Sequence, residues 1–204
     1  MVAAIVESRR NAPPKASKEI RGDDAFGMTD FATNLVVDCQ RGDREAQRRL
    51  YERFQGQVQR LMLRMVGRED AADLTQHVFL RVLQTIHQFN GQSRFETWLY
   101  RVAVNEALQH LRRRGRKRAA PLEYEPVDRS PSHTRQTEEV ELLERALARL
   151  DPELRSLFLL REVEHLSYRE IASILEMNEG TVGSRLNRAR DMLQKHLVEL
   201  GWRP

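Results

Sequence analysis

Trp98, Arg101, Asn105, Gln109 and Arg112 recur every three or four residues, and at 100° per residue they fall on one narrow strip of a helix. Guanidinium and amide groups are the ones that hydrogen-bond base edges, and an indole stacks on a base. Tyr100, Val104, Ala107 and Leu111 lie roughly opposite, apolar enough to face a core. Residues 98–118 carry seven Arg and Lys against one acid, Glu106. Most of them sit in the cluster Arg112–Arg118, and such a run holds phosphates, which positions a protein on nucleic acid without reading its sequence. Taken alone, the stretch fits a solvated helix face with a basic tail equally well.

Several elements must form for the strip to be presented. Ser93-Arg94-Phe95-Glu96 has the pattern of a capping box that starts the helix, after a loop at Phe89-Asn90-Gly91-Gln92. Upstream, Leu74, Val78, Phe79, Val82, Leu83 and Ile86 predict one amphipathic helix. Leu35, Val36, Leu50, Phe54, Val58, Leu61, Met62 and Met65 predict more, with breaks at Gly42-Asp43 and between Gly67 and Asp70. Residues 1–28 lack periodicity and read as a disordered tail. Residues 119–136, with Pro121, Pro126 and Pro131, read as a flexible linker. Helical signal returns with Val140, Leu143, Leu147 and Leu150, and Asp151-Pro152-Glu153 is a strong helix start. No strand-like alternation of useful length occurs. The expected fold class is all-α: two small helical domains, 29–118 and 137–200.

Composition narrows the class of function. The chain has 204 residues, 40% apolar and 31% charged, with a net charge of only +4. Its 34 basic residues include just four Lys, and Arg is the better bidentate ligand of phosphate and guanine, although a GC-rich genome gives the same bias. Cys39 stands alone, which excludes an internal disulfide or a cysteine zinc site, and the six His show no metal-ligand spacing. No catalytic constellation, metal site or cofactor is expected. No apolar run is long enough to span a bilayer, and Val2–Val6 is too short for a signal peptide core, so the expected location is the cytoplasm without membrane insertion.

The second domain carries its own chemistry. Ser167-Tyr168-Arg169-Glu170 is another capping box, opening a short helix with Ile171, Ala172, Ile174 and Leu175. Glu176-Met177-Asn178 makes a break, with Asn178 as the expected cap of the next helix, and small Ala172 marks a close helix crossing. That helix buries Val182, Leu186, Ala189, Leu193 and Leu197, the layout of a helix-turn-helix. It exposes Glu179, Thr181, Ser184, Arg185, Asn187 and Arg188, which in this motif enter the major groove. An ordinary helical hairpin shares the apolar spacing, but the two caps, short turn and polar residues together favour DNA.

With both domains in view, the chain resembles the extracytoplasmic-function sigma factors of the sigma-seventy family, from about Asp30 to Leu197. Asp73-Leu74-Thr75-Gln76-His77-Val78-Phe79-Leu80 is similar to the segment that docks on the polymerase clamp coiled coil. The resemblance implies polymerase contacts at Asp70, Asp73, Leu74, Gln76, His77 and Phe79. Phe95-Glu96-Thr97-Trp98-Leu99-Tyr100-Arg101, with Asn105 and Leu111-Arg112-Arg113, looks like the helix that recognises and opens the −10 element. It implies −10 contacts at Asn90, Arg94, Phe95, Trp98, Arg101, Asn105, Gln109, Arg112 and Arg113. Gly180-Thr181-Val182-Gly183-Ser184-Arg185-Leu186-Asn187-Arg188-Ala189-Arg190 looks like the −35 reading helix. The chain departs from the family pattern at His77, Gln109 and Gly183. The implied partners are core RNA polymerase, promoter DNA and an anti-sigma factor.

On this reading a base extruded into the Phe89–Arg94 loop is held by stacking, with Trp98 the first aromatic candidate and Tyr100 better placed for the core. The linker spans at most about 60 Å. A DNA-binding regulator that never touches polymerase is the alternative, but nothing here resembles a ligand or phosphoacceptor domain. A helical nuclease or transferase would need a phosphate-cradling Gly loop or paired metal carboxylates, which are not found.

Overall fold

The computed structural model describes residues 34–117 and 135–202, and every regular element among them is helical. The first group comprises α1 (34–40), α2 (Arg44–Val66), α3 (Arg68–Thr85), a 3-10 turn at Ile86–Gln88 and α4 (Phe95–Lys117). The second comprises α5 (Arg135–Ala148), α6 (Pro152–Glu162), α7 (Tyr168–Ile174) and α8 (Glu179–Glu199). None of the described helices is long and apolar enough to cross a membrane. The expected tail and all but the last two residues of the expected linker lie outside the described residues. Those two, 135 and 136, already belong to α5.

Local chemistry sets the boundaries. Gly42 takes φ +86°, and the Asp43 carboxylate then accepts from the amides of Glu45 at 2.8 Å and Ala46 at 3.4 Å to start α2. From there Ala46, Leu50, Phe54, Val58, Leu61, Met62 and Met65 line one buried face of α2. They meet Ala71, Leu74, Val78, Phe79 and Val82 of α3 and Leu99, Ala103, Val104 and Ala107 of α4. Cys39 of α1 is buried there too; desolvation first, then Asp43 and Asp38, push its thiol up to about 11. Leu111, expected in the core, is only half-buried and packs against its edge.

Two of the expected caps are built differently. The first bond of α4 runs from the Trp98 amide to the Arg94 carbonyl at 3.3 Å, and the Ser93 hydroxyl donates to that same carbonyl at 3.3 Å. Ser93 is therefore one residue too early to close a box with Glu96. Asn178 does cap α8 by its backbone, accepting from the Thr181 amide at 2.9 Å, but its side chain makes no capping bond. Ser167 and Glu170 do form the reciprocal box on α7.

In the second group, Asp151 caps α6 with Pro152 in its first turn, as the sequence predicts. Leu154 to Leu160 are then buried without interruption, Arg155 and Ser156 included. A helix apolar on all sides must be covered on all sides, and α6 is: α7 and α8 pack on one flank, α2 and α4 on the other. The two expected domains thus share one continuous core. Arg155 fastens the junction, donating to the Met65 carbonyl of α2 at 2.6 Å and to those of Ala148 and Leu150 at 2.5 and 3.1 Å. Those of Met65 and Ala148 are end-of-helix carbonyls with no partner within their own helix, and Leu150 lies between α5 and α6, which suits a cation. Burial lowers the guanidinium to about 10, so it stays charged at neutral pH.

A candidate nucleic-acid interface

The α4 strip emerges as its spacing requires. Arg101, Asn105, Gln109 and Arg112 are exposed, whereas Trp98 is half-buried. Trp98 rests on Phe95 and Phe89, with ring centroids 5.7 and 5.8 Å away, and Phe95 reaches Phe54 of α2 at 5.4 Å. Phe95 itself is 4% exposed. Its expected DNA contact is corrected: the ring anchors Trp98 and belongs to the core.

Beside this aromatic cluster the loop 89–94 turns at Gly91, φ +74°. Asn90 is exposed and its carboxamide oxygen accepts from the Gln92 amide at 3.2 Å. Gln40 of α1 pins the base of the loop, donating to the carbonyls of Ile86 and Phe89 at 2.9 and 2.8 Å. Arg94 is exposed, 3.8 Å from the Glu96 carboxylate. A half-buried indole beside a pinned polar loop can stack a base and hydrogen-bond its edge.

The basic end of α4 divides in two. Arg112 and Arg113 are exposed. Arg114 turns inward instead, pairing with Asp70 and, at 3.2 Å, with Glu69 of α3, while His110 Nε2 lies 3.0 Å from Asp70. Arg114 thus ties α4 to α3, with its side chain 25% exposed. Asp70 thus bridges Arg114 and His110 of α4, with its side chain 26% exposed.

On α3, Asp73, Gln76 and His77 are exposed along one face. Leu74 and Phe79, expected to join them, are each 4% exposed and point into the bundle, where Phe79 meets Tyr51 edge-on at 4.8 Å. The apolar member of the exposed face is Leu80, 58% exposed, at the next position of the spacing 73, 76, 77, 80. Leu80 closes the segment similar to the clamp-docking one but was not among its expected contacts, although that spacing singles it out.

On α8, Glu179, Ser184, Arg185, Asn187 and Arg188 are exposed and Thr181 half-buried. Ser184 donates to the Thr181 carbonyl at 3.0 Å. Arg190 is pinned to Glu162 of α6 by two bonds of 3.1 and 2.5 Å and fixes the helix rather than facing outward. Gly183 meets the Tyr168 ring, where an added Cβ would lie 3.6 Å away in ordinary contact.

The strip of α4 does not face open solvent along its whole length. Thr97 donates to Glu170 at 3.2 Å, Tyr100 to Glu164 and Arg101 to Glu176, and Arg112 donates to Glu153 at 3.4 Å. Desolvation, then the bond to Glu164, push the Tyr100 phenol upward, so it remains a donor. A cleft of about 430 Å³ lined by Arg53, Gln57, Arg94 and Glu164 opens beside the seam.

A family model described as Sigma-70 region 2 matches residues 50–117, and one described as Sigma-70, region 4 matches 141–193. The chain is 38% identical to the ECF RNA polymerase sigma-E factor of Haemophilus influenzae, over 85% of this chain and 97% of that protein. It is 35% identical to the RNA polymerase sigma-H factor of Pseudomonas aeruginosa, over 81% and 93%. In fold it is similar to the sigma factor RpoE bound to the anti-sigma factor NepR from Bartonella quintana, with TM-score 0.62, 21% identity and 76% and 98% of the two chains covered. It is also similar to CnrH in complex with the cytosolic domain of CnrY, with TM-score 0.60, 21% identity and coverage of 84% and 99%.

Proposed function

This chain belongs to the sigma-70 family as an extracytoplasmic-function RNA polymerase sigma factor, and from that premise we propose how its exposed faces divide the work. It is an alternative sigma factor: it binds core polymerase and promoter DNA and directs transcription initiation. The carrying observation is that the two matched segments follow each other in family order and each presents an exposed polar helix strip, on α4 and on α8.

In our reading the α4 strip, with Trp98, Arg101, Asn105, Gln109, Arg112 and Arg113, holds the −10 element. Asn90 and Arg94 frame the loop that receives an unstacked base. Stacking there offsets the few kcal/mol, on the order of two or three, that unstacking costs. Glu179, Thr181, Ser184, Arg185, Asn187 and Arg188 of α8 read the −35 element in the major groove. Asp73, Gln76, His77 and Leu80 dock on the clamp coiled coil, an apolar residue ringed by polar ones. The family is not one of enzymes, and we assign this chain no bond chemistry; it works in the cytoplasm, where polymerase and DNA are. An anti-sigma factor is its natural regulator, as the sigma factor RpoE, similar in fold, is held by the anti-sigma factor NepR.

Run-off transcription with core polymerase on genomic promoter fragments tests the reading. A promoter-specific start is expected with the wild type and none with Arg101→Ala/Arg112→Ala. No specific start from the wild type would overturn it.

A further inference from the structure

We propose that Gln40 of α1 is a positioning residue for the base-receiving loop and so governs how sharply that loop distinguishes one base from another. This deepens the reading of loop 89–94 and Trp98 as part of a −10 surface, and rests on it. Gln40 lies ahead of the segment that the Sigma-70 region 2 model matches, and it reaches across 46 and 49 positions of sequence to the carbonyls of Ile86 and Phe89. Both bonds leave the one carboxamide nitrogen, at 2.9 and 2.8 Å, so both of its hydrogens are committed. Turned over, the amide would set its oxygen against two carbonyls. Its orientation is therefore fixed.

The hold is stiff at both ends. Leu35, Val36 and Cys39 bury α1 in the bundle core, and just after Gln40 the chain turns, the Asp38 carbonyl accepting from the amides of Arg41 and Asp43 at 3.1 Å each. The Gln40 backbone thus sits between a buried neighbour and a closed turn. At the far end, the Ile86 carbonyl also accepts from the Phe89 amide at 3.1 Å, closing the 3-10 turn from which the loop departs. Phe89 carries the effect onward: its carbonyl takes the second bond from Gln40, while its ring lies 5.6 Å from Phe95 and 5.8 Å from Trp98. One side chain of α1 therefore sets the start of the loop relative to the indole.

Stacking and edge reading ask different things of this geometry. A stacked base tolerates shifts, because every base has a π-face. Hydrogen bonds to a base edge need their partners held within about half an ångström. Asn90 and Arg94 are the exposed polar side chains that follow Phe89, and they inherit its position. Without Gln40 the loop still stacks a base but chooses less well between bases.

The test uses the full-length chain with core polymerase on a promoter fragment from which the wild type starts. Each of the four bases is placed in turn at every −10 position of the non-template strand, and run-off yields give a selectivity ratio at each. Asn90→Ala marks the position served by the loop, as the one where the ratio falls most. Gln40→Leu removes both donors, and Gln40→Glu removes them at nearly constant shape. Gln40 is exposed, so neither variant empties the core, and thermal melting checks that each is folded. Expected for both is a roughly three- to ten-fold lower ratio at the position marked by Asn90→Ala, with ratios elsewhere kept. An unchanged ratio there overturns the proposal, whatever the yields do. An equal fall at every position also overturns it, since a merely structural role gives that result. If Asn90→Ala lowers the ratio nowhere, the assignment of the loop itself fails, and the role of Gln40 with it.

Discussion

Phe95 and Trp98 touch, with ring centroids 5.7 Å apart, and substitution should separate their roles. Phe95→Ala opens a hole between α2 and α4 and is expected to cost about 3–5 kcal/mol in denaturant unfolding. Trp98→Ala removes a half-buried ring and should lower stability far less, yet abolish permanganate-detectable melting of promoter DNA. If melting by Trp98→Ala were intact, the stacking role would be lost. Both rings were legible as aromatic residues of the helix expected to hold the −10 element. What the sequence hid was a matter of angle: Phe95 lies about 60° around the helix from Trp98, far enough to turn it inward. Arg114 was hidden for a different reason. A basic run looks uniform in sequence, and only the position of Asp70 across the α3–α4 contact draws one arginine out of it.

On α3 the proposed docking face is a matter of one helical stripe. Leu80→Glu should weaken binding to core polymerase about ten-fold or more in a competition assay, with no loss of thermal stability, since the side chain is exposed. On α8, Gly183 sits inside a helix with room for a methyl group beside Tyr168. Gly183→Ala should therefore raise stability by roughly 0.5–1 kcal/mol in urea unfolding. The capping box on α7 gives a pH signature. Burial pushes the Glu170 carboxyl up, but bonds from the Ser167 hydroxyl and amide, the Thr97 hydroxyl and the charge of Arg94 outweigh it and hold it below its ordinary value of 4.5. A carboxyl depressed in the folded state contributes stability that is complete above its unfolded value and is lost as pH falls through the folded one. Acidification below pH 4.5 should thus cost the wild type more stability than it costs Glu170→Gln, as read from melting temperatures across that range. Helix order, the helix-turn-helix and the caps at Asp151 and Ser167 were legible because periodicity and capping are local signals. The cap of α4 was misread by a single residue, within the ordinary uncertainty of helix ends.

For the molecule as a whole, Arg155 is the test of how firmly the two groups are joined. Arg155→Met keeps the length of the side chain but leaves three inward-facing carbonyls without their donor, and should cost on the order of 3 kcal/mol. The loss should appear as a single earlier unfolding transition in calorimetry, since one core serves both groups. None of this junction was legible in the sequence. Its contacts join residues 41 to 90 positions apart, through Glu and Arg side chains that a sequence reading assigns to solvent. The uninterrupted burial of α6 was written in its apolar run, but a run cannot say which surfaces will cover it.

That run gives the molecule a thermal character. Any motion that draws the two groups apart wets the flank of α6 that now lies on α2 and α4. Exposing apolar surface raises the heat capacity, so the balance between joined and parted forms must curve with temperature instead of shifting in proportion to it. The hydrophobic share of the attraction fades on cooling. Between two temperatures at which the fold is equally intact, the seam around α6 is looser at the colder one, and the surfaces it covers are easier to reach there.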